Sequence, residues 1–452
     1  MRHVAVGNGS SCLKRRTTLS DFTALMILKT PAPAALPTGK DRAHRSGRRA
    51  TNVAAMALAL AQLLLVASCG GGGSSQSSGP PGQGLATPPA PSQINSYFGT
   101  DGDIWTSKIN HTANQITGED ITFSGVLLPG IVTGSFQDVE GFLDLDLTNV
   151  PSQLTAQTTG FALDIPGRAA LVRYGDHSYP LIPLAPTDAC TSIGGTVTYQ
   201  FVTIPNATWS SPTDTAFGTF QASVNASAWD FTNITQFSLA GTAPSIPGEG
   251  LPAGFCGVGT VGYSVTASSS ATNPPVATVT MGFGPSGFFL EDNGSAQGQP
   301  QGVVRSNALG AGVGAIGSVQ PSSPLDTGSV VGARFLGFYY EPGITGGAPV
   351  TQLAAFGCSG SSCPSPPNPT SMVGGVFPND DLTQPGGTGI TIDLGPQDAS
   401  NNGLYTSATV GMSGLNFPAV AVVGNLENKY AIFVIAQDTI NNVPLAIYLF
   451  QQ

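Results

Sequence analysis

Between Phe142 and Leu147 the chain alternates leucine with aspartate. Leu143, Leu145 and Leu147 fall on one side of an extended backbone, Asp144 and Asp146 on the other. A period of two predicts a strand with one buried and one wet face. The alternation returns over 196–204, with Val197, Tyr199 and Phe201 on one side and Thr198 and Gln200 on the other. Further strands are expected at 104–110, 121–127, 161–165, 169–174, 217–224 and 229–239, then at 260–266, 276–283, 287–291, 332–340 and 390–394. The runs 430–437 and 445–450 are nearly unbroken apolar stretches around Asn441-Asn442 and predict a hairpin buried on both faces. Residues 358–388 read as loop, and no amphipathic helix is expected after residue 69. The fold class is therefore all-β: antiparallel strands in two packed β domains, barrel- or sandwich-like.

The N-terminal part follows a different pattern. Residues 53–66 are apolar apart from Gln62, and Arg42, Arg45, Arg48 and Arg49 precede them. A basic flank and an apolar run too short to span a bilayer predict a signal peptide. It ends in Val66-Ala67-Ser68-Cys69, a lipobox in which the Cys69 thiol takes a diacylglycerol. Acyl chains anchor by about 0.8 kcal/mol per buried methylene. Gly70, where an aspartate would retain the protein at the inner membrane, favours the outer membrane, with the protein facing the periplasm or the cell surface. Residues 1–68 are thus a signal peptide with an over-extended start, and 69–95 a lipidated cysteine on a Gly/Ser/Pro tether. The Pro/Gly-rich stretch 241–255 divides the rest into domains at 96–245 and 246–452.

Cleavage changes the charge picture. Ten of the 16 Lys and Arg lie before Cys69, but only two of the 26 Asp and Glu, so residues from 69 onward carry a net charge of −18. Such a surface repels nucleic acid, which is excluded as a partner, and anionic headgroups; the membrane is reached through the lipid alone. With 59 Gly and 36 Pro but abundant β-branched and aromatic residues, the composition is that of turn-rich β protein. Export makes Cys190, Cys256, Cys358 and Cys363 disulfide candidates. Four cysteines permit three connectivities; pairs Cys190–Cys256 and Cys358–Cys363 are favoured. His111 and His177 have no zinc-motif spacing to them.

Candidate chemistry is sparse. Asp326-Thr327-Gly328-Ser329 matches the core of an aspartic-protease motif, but a second copy is absent, and a turn is the better reading. Gly312, Gly314 and Gly317 spell G-x-G-x-x-G without the strand and helix a nucleotide site needs, and read as places of close strand approach. Asp176-His177 reads as a polar turn, and no G-x-S-x-G elbow is present. Asp101, Asp103, Asp380 and Asp381 have calcium-ligand chemistry but lack EF-hand spacing. Trp105 and Trp229 lie in strand patterns and read as core, whereas Trp209 lies in a loop suited to partner contact. No catalytic residue, metal site or cofactor is assigned.

The lipobox, the opening YFGTDGDIW (97–105) and the closing GNLENKYAIFVIAQDTINNVPLAIYLFQQ (424–452) resemble a family of bacterial Gly/Ser-rich lipoproteins with no known activity. The opening is also similar to that of small lipocalin- or avidin-like barrels, as architecture only. The expected function is a lipid-anchored, non-enzymatic structural or binding module of the cell envelope, its protein or glycan partner unknown. The alternatives are a secreted hydrolase using Asp326, Asp176 and His177, and a carbohydrate- or calcium-binding adhesin using Asp101, Asp103 and Trp209.

Overall fold

In the computed structural model the alternating segments become hairpins that close on themselves. The structure describes residues 84–85, 94–100, 104–120, 131–149, 159–174, 177–183, 193–204, 216–225, 228–239, 255–257, 260–266, 276–283, 287–292, 314–341, 350–357, 368–382, 389–426, 428–441 and 443–452. The expected signal peptide, Cys69 and most of the expected tether lie outside them, as does the strand expected at 121–127.

A two-residue strand, β1 (Gly84–Leu85), precedes the first barrel. Its strands are β2 (Ile94–Thr100), β3 (Ile104–Asn110), β4 (Gln115–Asp120), β5 (Ile131–Val139), β6 (Phe142–Asn149), β7 (Thr159–Ile165), β8 (Ala169–Tyr174) and β9 (His177–Pro183). Each pairs antiparallel with the next, and β9 closes on β2 through Phe98–Ile182. Eight strands enclose a space that side chains can fill. Here Tyr97, Ile109, Ile116, Val132, Phe136, Leu145 and Val172 are among those that do so. In β6 the leucines are buried and the aspartates exposed, as the alternation requires.

β10 (Ile193–Gly194) pairs with β1 as a separate two-stranded sheet, and the central sheet begins at β11 (Thr196–Ile204). It continues through β12 (Ala216–Asn225), β13 (Ala228–Ser238), β14 (Phe255–Gly257), β15 (Thr260–Thr266), β16 (Val276–Phe283), β17 (Phe288–Asp292) and β18 (Gly314–Val319). The order is β13-β12-β11-β18-β17-β16-β15-β14. Its two edge strands approach without pairing, so this sheet is a nearly closed barrel. The rings of Tyr199, Phe220 and Phe289 are buried on one face with centroids 4.9–5.4 Å apart, Tyr199 stacked on Phe220 and Phe289 edge-on to both. Gly317 lets β18 lie against β11: a Cβ there would sit 2.1 Å from the Gln200 carbonyl. The expected boundary at 245/246 falls within this sheet, between β13 and β14, while β11 and β18 from its two sides pair directly.

A single helical turn, α1 (Thr327–Val331), leads to the second closed barrel. This is built from β19 (Phe335–Glu341), β20 (Val350–Phe356), β21 (Ser371–Val376), β22 (Ile390–Asp393), β23 (Leu404–Met412), β24 (Leu415–Leu426), β25 (Lys429–Asp438) and β26 (Val443–Gln451). β21 corrects the reading of 358–388 as loop. Its Gly374-Gly375 pair hides the strand signal, yet Gly374 is needed because a Cβ would meet the Ala355 carbonyl at 2.1 Å.

The closing hairpin β25–β26 is buried on both faces. Ile432, Val434, Leu445, Ile447 and Leu449 fill the barrel interior. Phe433, Ile435, Tyr448 and Phe450 point the other way, into a core shared by all three sheets. That core also takes Leu163, Ile165 and Leu171 from the first barrel and Val202, Phe288 and Ile316 from the central sheet. Both faces of these strands are therefore apolar, and alternation disappears from their sequence.

Candidate functional site

The outer face of the second barrel is covered by the shared core along β24–β26, β19 and the start of β23 at Leu404, but not along β22 and the rest of β23. There the alternation survives: Ile390, Ile392, Ala408 and Val410 point inward, while Thr391, Asp393, Thr409 and Gly411 point out. The register sets Thr409 opposite Asp393 and Gly411 opposite Thr391. Gly411 leaves the space beside Thr391 open. The result is a surface groove of about 390 Å³ lined by Asp393, Thr391, Thr409, Met412, Leu415 and Asn416, among others.

Asp393 is held in place at the end of this groove. The Asn368 amide donates to its Oδ2 at 2.6 Å, and the Thr370 hydroxyl and the Gly395 N–H (3.0 Å) donate to Oδ1. Asn368 in turn accepts from the Thr370 N–H and from the Ser371 hydroxyl, which fixes the turn before β21. Partial burial pushes the Asp393 carboxyl up. The hydrogen bonds from Thr370, Asn368 and Gly395 together outweigh it and hold the group below the usual carboxylate range. Among the described residues no cationic side chain pairs with Asp393. The groove is therefore a polar recess with one fixed, ionised carboxylate and an apolar rim.

A second polar cluster closes one end of the first barrel. Asp164 on β7 shares the inward face with Ala162, and its side chain is 1% exposed. Its Oδ1 accepts from the Tyr97 hydroxyl, which also accepts from the Gly167 N–H at 3.2 Å. Its Oδ2 lies 2.6 Å from His111 Nε2, on the turn between β3 and β4. The Phe136 ring packs against the imidazole edge-on at 5.5 Å. Burial, then the charge of Asp164, pushes the Tyr97 hydroxyl far above its ordinary range, so it remains a donor. The hydrogen bond to Asp164 raises the His111 pKa; partial burial opposes it, and the charges of Asp164 and Asp138 add to the rise.

Among the described residues, those singled out from the sequence do not converge. Asp326 is the N-cap of α1: its side chain accepts from the Gly328 N–H at 3.1 Å. Asp326→Ala is expected to cost about 1 kcal/mol, the usual worth of such a cap, read as a small shift in a urea unfolding midpoint. His177 opens β9 opposite Tyr174, while Asp176 lies outside the described residues. Asp380 is already engaged, its Oδ2 by Arg173 at 2.6 Å and its Oδ1 by the Leu353 N–H at 3.0 Å. The neighbouring Asp381 is exposed. Asp101, Asp103, Trp209, Cys190, Cys358 and Cys363 lie outside the described residues, and only the backbone of Cys256, in β14, is described. Among the described residues no three His, Cys, Asp or Glu side chains gather as a metal site.

Asp393, Asn368, Asp164 and Tyr97 escaped the sequence reading. Asp393 stands at an ordinary outward position of an alternating strand, and only the register with Gly411 makes a recess of it. Asp164 had a usable signal, a charge in line with Gly160 and Ala162, once that side is known to face the barrel interior.

No protein-family model matches the chain, and no curated protein matches it. Among solved structures, a double mutant of the vaccine antigen transferrin binding protein B from Haemophilus parasuis aligns at 7% identity and a TM-score of 0.21, over 80% of this chain and 66% of that one. A single mutant of the same antigen aligns at 6% identity and a TM-score of 0.23, over 79% and 66%. The chain thus spans just under two thirds of their length. At these identities and TM-scores the alignments assign neither ancestry nor activity.

Proposed function

We propose that the chain is an exported lipoprotein, held to the outer membrane through Cys69, that works as a binding or structural module without chemistry of its own. The observation that carries the binding part is the packing. Apolar side chains from their own strands fill both closed barrels, and the central sheet buries its own aromatic rings. A ligand is therefore expected on an outer face, and the polar groove along β22 and β23 is the candidate. The anchor is supported by the arginine-flanked apolar run and by Val66–Cys69. The tether 69–95 holds the β domains away from the bilayer, and Cys190–Cys256 and Cys358–Cys363 are the disulfide pairs.

Detergent-phase partition tests the anchor. The wild-type protein is expected in the detergent phase, and Cys69→Ala in the aqueous phase. Retention of Cys69→Ala in detergent would overturn the lipid assignment. The non-enzymatic part fails if the purified protein turns over any ligand that the groove retains.

A further inference from the structure

Building on the reading of this groove as a binding surface, we propose that it takes a small ligand carrying an ammonium group flanked by hydroxyls, the chemistry of a sugar with a free amine. The volume of about 390 Å³ lies at the small end of the range for ligand sites and has room for a single sugar ring. Asp393, the one carboxylate among the described residues that line the groove, is fixed before any ligand arrives. Asp393 accepts three hydrogen bonds, from Asn368, Thr370 and Gly395. A carboxylate has about four lone-pair sites, so one remains for a further donor. An ionised acid without a cationic partner among the described residues, in a chain of net charge −18 from residue 69 onward, favours a positive donor over a neutral one.

The rest of the lining suits the remainder of such a ligand. The Thr391 and Thr409 hydroxyls and the Asn416 amide are placed along the groove and can exchange hydrogen bonds with hydroxyls. Met412 and Leu415, the latter 44% exposed, offer the apolar surface that a ring's C–H face covers. Glycine keeps the recess open. A Cβ at Gly389 or Gly414 would meet nothing within 4 Å, and the nearest atoms to one at Gly411 would be the Asn416 side-chain oxygen at 3.0 Å, the Thr391 Cβ at 3.5 Å and the Leu415 carbonyl oxygen at 3.7 Å. A larger side chain at Gly411 would therefore enter the groove while leaving the strand intact.

Ligand-observed saturation-transfer NMR on the full chain in detergent micelles tests this. The probes are glucosamine, N-acetylglucosamine and glucose at about pH 6, where an amine of ordinary pKa is charged. Glucosamine is expected to give a saturable signal, and the two neutral sugars to bind at least tenfold more weakly. Asp393→Asn is expected to weaken glucosamine at least tenfold. Because that change also disturbs the turn at 368–370, Gly411→Val serves as the second variant. It is expected to abolish binding with an unchanged melting temperature.

Absence of glucosamine binding overturns the inference, as does binding that survives Gly411→Val. Equal binding of all three sugars, lost in Gly411→Val, overturns the ammonium preference but leaves the groove as a binding surface. New resonances from a converted sugar, also lost in Gly411→Val, would support the groove and overturn the non-enzymatic reading instead.

Discussion

Arg173→Met is expected to destabilise the protein by about 3–5 kcal/mol, the cost of breaking a buried ion pair from one side. Arg173 leaves β8 of the first barrel and reaches the second. Its guanidinium meets Asp380 Oδ2 at 2.6 Å, donates to the Thr351 carbonyl at 2.7 Å and lies 5.2 Å from the centre of the Phe161 ring. The two side chains are 9% and 20% exposed, so water screens the pair little. Asp380 is presented by two consecutive residues in the left-handed region, Asn379 (φ 51°) and Asp380 (φ 57°), residue types that tolerate it. Methionine retains most of the aliphatic packing but leaves Asp380 without its cation. Denaturant unfolding of Arg173→Met should show the loss, and the double variant Arg173→Met/Asp380→Asn should recover part of it. If Arg173→Met unfolds at the wild-type midpoint, the pair does not brace the two barrels.

The second large effect depends on pH. His111→Ala is expected to cost on the order of 2–3 kcal/mol at about pH 5.5, where it removes a charged donor from a buried carboxylate. Among the described residues Asp164 would keep only Tyr97 as a side-chain partner. The His111 pKa is raised in the folded protein, chiefly by the hydrogen bond to Asp164. A raised pKa gives stabilisation that is fully present below the unfolded value of about 6.5 and is lost as pH rises through the folded value. The gap in melting temperature between wild type and His111→Ala should therefore be widest near pH 5.5 and narrow by about pH 9. A remnant of about 1 kcal/mol from the neutral hydrogen bond would persist there. A gap that is constant or grows over that range would show that His111 is not the titrating partner of Asp164.

Both effects come from residues that the hydropathy pattern treats as ordinary. In 161–165 the apolar residues Phe161, Leu163 and Ile165 mark one face and Asp164 the other, which invites the reading that Asp164 is wet. The strand is indeed half apolar, but its marked face packs into the shared core, while Asp164 faces the barrel interior. Arg173 follows the same logic. It shares the outward side of β8 with Leu171 and finds a partner that is 207 residues away. The β25–β26 hairpin was legible because an unbroken apolar run has one meaning in a sheet, burial on both faces. β21 was not, because its Gly374 is required by a neighbouring carbonyl rather than by strand propensity.

By itself the sequence determined the all-β class, the antiparallel hairpins and the positions of most strands, because alternation and turn residues are local and a strand's period is set by its own backbone. It also carries the arginine-flanked run to Cys69, a signal made of neighbours. Only the tertiary structure decided which side of each strand faces a barrel interior, which faces the shared core and which remains at the surface. It alone aligned Gly411 with Thr391 into a groove, set Asp164 between Tyr97 and His111, and brought Arg173 to Asp380. The physical reason is that each of these depends on register and closure, pairings between segments far apart in the chain that no local period encodes.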